Sequence, residues 1–144
     1  MGTVYLSEKD LEKLTGRKSS KESKFKSKKV VVNGISFDSQ WEGQRYAELL
    51  LLEHQGEITD LRLQVPFELI PAQREPDTVG PRGRIRRGRC LEQSVVYIAD
   101  FVYYTRAGER IVEDTKGVRT ADYVIKRKLM LYIHKIRIKE VKEK

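Results

Sequence analysis

The chain has 144 residues, with 29 Lys and Arg against 21 Asp and Glu, so its formal net charge is +8. This length fits one domain with a real hydrophobic core, and the positive charge favours a polyanionic partner. Its one cysteine and two distant histidines exclude a disulfide framework, a cysteine zinc cluster and a histidine-based metal site within one chain. Because no stretch approaches the length of a membrane helix and the N-terminus lacks an apolar signal core, we expect a soluble cytoplasmic protein without a membrane partner.

The charge is unevenly distributed along the chain. Residues 30–70 contain two basic and seven acidic side chains, whereas residues 1–29, 71–93 and 94–144 have net charges of +5, +3 and +5. A metal-dependent nuclease needs both kinds of region, since carboxylates hold a divalent cation and basic side chains hold phosphate. A protein that only coats DNA has less need of the acidic block.

The first 29 residues are predicted to form a basic arm that precedes a single domain at 30–144. Ser7 and the residues after it are typical of a short capped helix. Residues 17–29 are rich in Lys and Ser and are predicted to be mobile. Two interpretations of this tract are equally open: it follows the phosphates of a nucleic acid, or it only increases solubility.

The domain is predicted to begin with a peripheral β-hairpin at 30–37, because Asn33-Gly34 suits a two-residue turn. Ser39 then precedes a helix from Gln40 to about His54, which Gly56 ends. The helix is expected to pack deeply through a broad apolar face, made of Trp41, Tyr46, Ala47 and Leu49–Leu52.

Residues 58–70 alternate apolar and polar side chains with one register change near Pro66, which indicates a strand with a bulge or an edge strand. Residues 71–93 are rich in Pro, Gly and Arg. This stretch is either a long loop or an excursion of the following hairpin, and loops of this length are usually functional or mobile.

A hairpin at 97–117 is the centre of the prediction, because two apolar runs flank a short polar loop that contains Gly108. Side chains alternate faces along a strand, so Asp114 and Lys116 share one face. Asp100 on the first strand can face Asp114 if the register allows. Two carboxylates and an ammonium on adjacent strands suit a hard divalent cation and a water to be deprotonated. The alternative is a solvated strand face with a local salt bridge.

A second helix is predicted from Thr120 or Asp122 to about His134, with Ile125, Leu129 and Tyr132/Ile133 on its packing face. The alternation at 135–141 predicts a closing strand. Three tyrosines are expected to serve packing: Tyr103, Tyr104 and Tyr132. The order of elements is then helix, three strands, helix, strand.

That order, with Asp100 and Asp114-x-Lys116 on consecutive strands, resembles the PD-(D/E)xK nuclease superfamily over roughly residues 38–141. It is most similar to a phage-associated family of small endonuclease-like proteins and to Holliday junction resolvases of the endonuclease I type. The motifs that carry the resemblance are Ser-x-x-Glu at 39–42, Arg-Tyr-x-Glu-Leu at 45–49, Gly-Glu-Ile at 56–58, Tyr-Ile-Ala-Asp-Phe at 97–101 and Glu-Asp-x-Lys-Gly at 113–117.

The resemblance implies an α/β fold with a mixed sheet, a restriction-endonuclease-like αβββαβ core. It further implies that Asp100 and Asp114, with a backbone carbonyl near Thr115, hold Mg²⁺, for which Mn²⁺ can substitute. Lys116 would orient or activate the attacking water, and Glu42 would complete the metal site, either directly or through a metal-bound water. No small-molecule cofactor is implied, and a phage-encoded protein would act in the host cytoplasm.

Three features depart from the family pattern. Ala99 stands where the superfamily name has Pro, and Asp114 stands where Glu is commoner. The Arg-rich insertion at 74–89 has no counterpart in the compact resolvases, which leaves the choice of DNA substrate open.

Glu42 also has a structural interpretation, because Ser39-x-x-Glu42 is a capping box. Glu113 is predicted to be structural. Glu48 and Glu68 are predicted to be surface salt-bridge partners, with ancillary acids of the site as the alternative. The basic residues predicted to bind phosphate are Arg82, Arg84, Arg86, Arg87, Arg89, Arg119, Lys126 and Lys128. For the last three, a solvated helix face is nearly as good an interpretation.

We therefore expect a Mg²⁺-dependent endonuclease that cleaves branched DNA, such as a four-way junction, and that acts as a homodimer. The alternative is a nucleic-acid-binding module or an accessory subunit of a recombination or packaging complex that kept the fold without turnover. Flap, mismatch-repair-like and transposase-subunit nucleases share this core, and the sequence does not separate them.

Overall fold

The structure is a computed structural model that describes residues 28–143. The predicted Ser7 helix and all but the last two residues of the 17–29 tract therefore lie outside the described residues. The strands and helices in chain order are β1 Val30–Val32, β2 Ile35–Phe37, α1 Gln40–His54, β3 Ile58–Ile70, β4 Gln73–Arg74, β5 Thr78–Val79, β6 Ile85–Arg86, β7 Cys90–Glu92, β8 Val95–Thr105, β9 Arg110–Lys116, α2 Ala121–Leu129 and β10 Lys139–Lys142.

The central sheet has four strands in the order β10-β9-β8-β3. Strands β3, β8 and β9 form an antiparallel meander, and β10 lies parallel to β9 after the crossover through α2. The predicted order of helix, three strands, helix and strand is confirmed, as is the mixed α/β character. A parallel pair needs a long crossover connection, and α2 supplies it.

Two buried clusters occupy the two faces of this sheet. The cluster on the α1 face contains Phe37, Tyr46, Leu49, Ile58, Phe101 and Tyr103. The cluster on the α2 face contains Leu69, Tyr97, Ala99, Val102, Val112, Tyr123, Met130 and Ile138. Each helix therefore covers one face of the sheet. The polar residues between the two clusters are positioned by the strands.

The regular alternation of side chains between the two faces of the sheet is interrupted in the middle of β3 and β8. On β8, Ala99 belongs to the α2-side cluster, but Phe101 two residues later belongs to the α1-side cluster. On β3, Leu63 packs on the α1 side and Val65 on the α2 side. The interruption falls at Gln64, whose φ of 50° lies in the left-handed region that non-glycine residues rarely adopt. Regular pleating would keep both members of each pair on one face, so the backbone turns over at this point.

The β1–β2 hairpin is confirmed as a small separate sheet beside α1. Asn33 and Gly34 have φ angles of 50° and 79°, as the tight turn requires. A Cβ on Gly43 of α1 would come within 3.3 Å of both Val30 and Val32, so this glycine allows the hairpin to lie close against the helix. The hairpin also contributes Phe37 to the core.

The predicted packing faces of both helices are partly wrong. Ala47 and Leu51 of α1 are exposed, because the helix meets the sheet on one side only. On α2 the buried residue is Tyr123, whereas Ile125 and Tyr132 are exposed. The helix continues as a π-helical turn at Met130–His134, which shifts the later side chains relative to a regular helix.

Two strand predictions need correction: where β10 begins, and where the register of β3 shifts. β10 begins at Lys139 rather than Lys135, because Lys135 adopts a left-handed φ of 57° and ends the preceding helical turn. The edge position of β3 is confirmed, and Pro66 is tolerated there. Its register shifts lie between Thr59 and Arg62 and between Glu68 and Ile70, however, and not at Pro66.

Residues 71–93 form an excursion of the β3–β8 hairpin rather than an irregular loop. β4 pairs with β7 near the sheet, and β5 pairs with β6 farther out, both antiparallel. Among residues 28–143, no helix has the length and apolar character needed to cross a membrane.

Candidate active site

Asp100 of β8 lies at the point where the central strands change face. The β8–β9 register pairs Phe101 with Glu113, so the next position places Asp100 opposite Asp114. Its Oδ2 atom accepts hydrogen bonds from the Thr115 amide at 2.8 Å and from the Thr115 hydroxyl at 2.7 Å. Both donors bind Oδ2, so they orient the carboxylate and do not engage its other oxygen, Oδ1.

Asp114 of β9 is buried beside it, with 2% of its surface exposed. The Tyr97 hydroxyl donates to Oδ2 at 2.6 Å, and the Lys116 ammonium lies 3.0 Å from Oδ1. The lysine contact is an ion pair without hydrogen-bond alignment, so in the described part of the chain Oδ1 is buried without an aligned donor. Burial raises the pKa of Asp114, and the charge of Asp100 adds to this, while Tyr97 and Lys116 oppose it.

Lys116 is held on two sides at the end of β9. Its ammonium lies 4.2 Å from the centre of the Tyr123 ring, in addition to its contact with Asp114. A cation over an aromatic face is stabilised without a second carboxylate. The ammonium therefore sits beside the acidic pair with donors still available.

Glu42 in the first turn of α1 points to the same place. Its amide donates to the Ser39 hydroxyl at 3.1 Å, which is one half of the capping box. The reciprocal bond, from the Ser39 amide to the Glu42 carboxylate, does not occur among residues 28–143. Instead Glu42 Oε1 accepts from Gln64 at 3.2 Å. Burial and then the charge of Asp100 raise the pKa of Glu42 to about 7.

Gln64 is the site residue that the sequence did not reveal. Its side-chain amide donates to Glu42 Oε1 at 3.2 Å and also lies 3.4 Å from Asp100 Oδ1, so it joins the helix to the sheet. In sequence it is an ordinary polar position between Leu63 and Val65. Only the left-handed backbone at this position marks it, and strained backbone of this kind tends to occur at functional sites.

Glu113, the neighbour of Asp114 on β9, faces the other side of the sheet. It is fully buried and accepts from Arg45 Nε at 2.5 Å, from Arg45 Nη2 at 3.0 Å and from the Tyr103 hydroxyl at 2.7 Å. This geometry agrees with the prediction of a structural role. Glu48 pairs with Arg45 at 2.7 Å on the surface, as expected. The predicted salt bridge of Glu68 is wrong within residues 28–143, where its backbone carbonyl contacts His134 and its side chain forms no ion pair.

The predicted phosphate-binding residues lie in two places. Arg82, Arg84, Arg86, Arg87 and Arg89 are exposed on the excursion. Near α2, Arg119 pairs with Glu140 at 2.5 Å and Lys126 with Asp122 at 3.5 Å. Lys128 lines a surface depression together with Arg127 and Arg137. The arginines of the excursion therefore form fewer of the described ion pairs than the basic residues near α2.

The donor set suits only certain metal ions. Within residues 28–143, no three His, Cys, Asp or Glu side chains lie close enough together to enclose a metal. Mg²⁺, however, is usually held by one or two carboxylates, with water and substrate phosphate as the other ligands. Asp100 and Asp114 are such a pair, and Oδ1 of Asp114 is a buried oxygen without an aligned donor. Thr115 faces Asp100 through its amide and hydroxyl, and the role of its carbonyl remains a prediction.

The chain belongs to a family described as "Protein of unknown function (DUF1064)", whose model matches residues 22–143. No curated protein and no solved structure matches the chain significantly.

Proposed function

We propose that this member of the DUF1064 family is a Mg²⁺-dependent endodeoxyribonuclease with a PD-(D/E)xK type of active site. One observation supports this above the others: Asp100 and Asp114 lie side by side, with the Lys116 ammonium 3.0 Å from Asp114. Glu42 reaches the same place from α1. A cluster of acids inside a chain of net charge +8 suits a phosphodiester substrate better than a neutral one.

Asp100 and Asp114 are the residues that would hold the ion. When bound, Mg²⁺ polarises a phosphoryl oxygen and lowers the pKa of water. The Thr115 donors keep Asp100 in place, and Tyr97 does the same for Asp114. Both carboxylates therefore need little reorganisation when a cation and a phosphate arrive.

Lys116 and Glu42 are the groups that would handle protons and charge. The Lys116 ammonium offsets negative charge that develops on the scissile phosphate and orients the attacking water through a free N–H. Glu42, with a pKa of about 7, can accept a proton near neutral pH. Gln64 holds the Glu42 carboxylate near Asp100, so the acid on the helix stays aligned with the acids on the sheet.

The decisive experiment uses a labelled four-way junction, a fork and a linear duplex, each incubated with the full chain and Mg²⁺ or Mn²⁺. We expect cleavage that is lost in excess chelator and in Asp100→Ala, Asp114→Ala and Lys116→Ala, while DNA binding persists. The matched control is Glu57→Ala, which removes an exposed acid outside the site. Cleavage by wild type in chelator, or a fully active Asp114→Ala, would falsify the proposal. Binding to all three substrates without cleavage would instead establish the non-catalytic alternative.

The proposal includes a homodimer that acts on branched DNA. Resolving a four-way junction takes two symmetric cuts, and each chain has one acid–acid–lysine set, so two copies about a twofold axis match the junction. The β1–β2 hairpin, with Val31 exposed, is the candidate interface element. Light scattering at micromolar concentration with and without a junction tests this. A strict monomer in both states that still makes paired cuts would contradict it.

A further inference from the structure

The excursion between β3 and β8 is a two-stranded ribbon with a defined tip. Its end is a turn in which the Gly83 amide donates to the Gly80 carbonyl at 3.0 Å and the Gly80 amide donates to the Arg84 carbonyl at 2.9 Å. Pro81 occupies the second position of the turn, where its restricted φ is favourable. The tip, defined as residues 78–87, is therefore an ordered hairpin built from β5 and β6.

Two acidic residues just below the tip are used to close the ribbon. Asp77 accepts from the Gly88 amide at 2.8 Å, and Glu75 pairs with Arg89 at 3.1 Å. A Cβ on Gly88 would lie 1.7 Å from the Glu75 carbonyl oxygen, so the strands approach too closely here for any other residue. These contacts brace the base of the tip, and within residues 28–143 the arginines of the tip form no ion pair with an acid.

The tip combines arginines with an exposed apolar pair. It contains four arginines and no Asp or Glu: Arg82, Arg84, Arg86 and Arg87. Val79 and Ile85 are directly paired across β5 and β6, and each has 74% of its surface exposed. Neither side chain belongs to a core cluster. Because side chains alternate along a strand, Arg86 lies on the face opposite Ile85, so the tip has an exposed apolar face with arginines on its other face and at its turn.

The chemistry of the tip selects one kind of partner. Phosphates alone bind arginines but have no use for the Val79–Ile85 pair, so the partner has to offer phosphates beside an apolar surface. DNA offers both, because its phosphates flank the stacked faces of its bases. Proteins that distort DNA insert apolar side chains between base steps and place arginines on the adjoining groove and phosphates.

We propose that the tip is a wedge that inserts Val79 and Ile85 at an unstacked base step of duplex DNA while the tip arginines bind the flanking phosphates. Unstacking an intact step costs free energy, and this cost is absent where the duplex already branches or is interrupted. The wedge therefore selects branched over continuous duplex. This inference rests on the proposed function, whose substrate class it narrows.

The ribbon also sets where the wedge acts. Gln64 at the site and Val79 in the tip are fifteen positions apart. At about 3.3 Å per strand residue the chain spans at most roughly 50 Å between them, which is between one and two turns of duplex DNA. The tip thus contacts the same DNA molecule at a distance from the acids, and its role is recognition rather than chemistry.

The test measures binding and unstacking apart from cleavage. Anisotropy in chelator compares a four-way junction, which carries 2-aminopurine beside the branch, with a linear duplex. The variant Val79→Thr/Ile85→Thr keeps every charge and the β propensity of the strands. Arg82→Gln/Arg84→Gln keeps the apolar pair, and Leu51→Ser/Ile133→Ser removes two exposed apolar side chains outside the tip and outside the candidate dimer interface as the control. Urea melts of each variant confirm that the domain is folded.

We expect wild type to bind the junction at least about tenfold more tightly than linear duplex, since one stacking contact is already lost at the branch, and to raise 2-aminopurine fluorescence by removing the stacking that the probe base keeps within its arm. The threonine variant should lose both effects and keep its affinity for linear duplex. The arginine variant should bind both DNAs more weakly, with the log–log salt slope reduced by about 2. The control should match wild type.

The outcomes separate this inference from the proposed function. A threonine variant that keeps the junction preference and the fluorescence change overturns the wedge, whether or not the protein cuts DNA. If the wild type shows the fluorescence change but cuts no substrate with Mg²⁺ or Mn²⁺, the nuclease is overturned and the wedge stands.

Discussion

Glu113 and Asp114 are consecutive buried acids on one strand, and their surroundings are opposite. Glu113, 0% exposed, receives both nitrogens of an Arg45 fork and the Tyr103 hydroxyl. Asp114, 2% exposed, has one hydroxyl, one lysine contact and another acid as its neighbour. Among the described contacts the first carboxylate has a guanidinium fork and a hydroxyl to itself, whereas the second has one ammonium and one hydroxyl and lies beside another acid.

The difference teaches how a structural acid is told from a functional one. Burying a charge is tolerable when a partner and hydrogen bonds compensate it, as at Glu113. Within the described part of the chain, Asp114 retains an oxygen without an aligned donor, and burial raises its pKa. A fold that leaves a buried carboxylate under-compensated gives up stability at a position where a cation from outside can restore it.

The largest expected effect comes from removing each acid in turn. Glu113→Ala leaves the Arg45 guanidinium without its main partner and should cost about 3–5 kcal/mol of unfolding free energy, while the cleavage rate per folded molecule is kept. Asp114→Ala should cost much less stability, because it also removes a strained charge, and should abolish cleavage. Urea unfolding and single-turnover assays on the same preparations measure both. Equal losses of stability at the two positions would contradict the comparison.

A smaller effect separates the two halves of the capping box. Ser39→Ala removes the acceptor of the Glu42 amide and should cost about 0.5–2 kcal/mol with no change in rate per folded molecule. Glu42→Ala should leave stability nearly unchanged or raise it, since repulsion from Asp100 is relieved, and the rate should collapse. Melting curves with the cleavage assay decide the matter. If Glu42→Ala instead behaves like Ser39→Ala, Glu42 is a cap and not a site residue.

The smallest effect is a pH dependence at Glu42. Its pKa is about 7 in the folded chain against 4.5 for the ordinary group, so the folded state holds the proton more tightly. This tighter binding of the proton stabilises the folded state fully below about pH 4.5, and the stabilisation is lost as the pH rises through about 7. Glu42→Gln should therefore match wild type at low pH and exceed its stability by about 1 kcal/mol at pH 8, after solvent screening is allowed for.

Urea unfolding between pH 4 and pH 8 is the measurement, with Glu57→Gln on the exposed surface as the control. A stability difference between Glu42→Gln and wild type that stays constant over this range would show that the Glu42 carboxyl is not perturbed in the folded protein.

Local patterns in the sequence were sufficient for the order of the elements and for much of the site. The Asn33-Gly34 turn, the Ser39 cap and the apolar runs on either side of Gly108 are each decided by neighbouring residues, so they could be predicted without tertiary contacts. Strand alternation put Asp114 and Lys116 on one face, but the position of Asp100 opposite Asp114 depended on the register, which pairs Phe101 with Glu113.

Long-range packing decided the rest. Which stripe of α2 is buried depends on the sheet beneath it and on the π-helical turn, so Tyr123 replaced the expected Ile125. The compensation of Glu113 by Arg45 joins positions 68 residues apart, and no local pattern indicates it. Gln64 entered the site because the backbone of β3 turns over beside Asp100 and points its amide at two acids from other elements. The sequence by itself determined which acids could form a site, and tertiary packing determined which of them stay uncompensated, because the charge balance of a buried group depends on every chain segment that surrounds it.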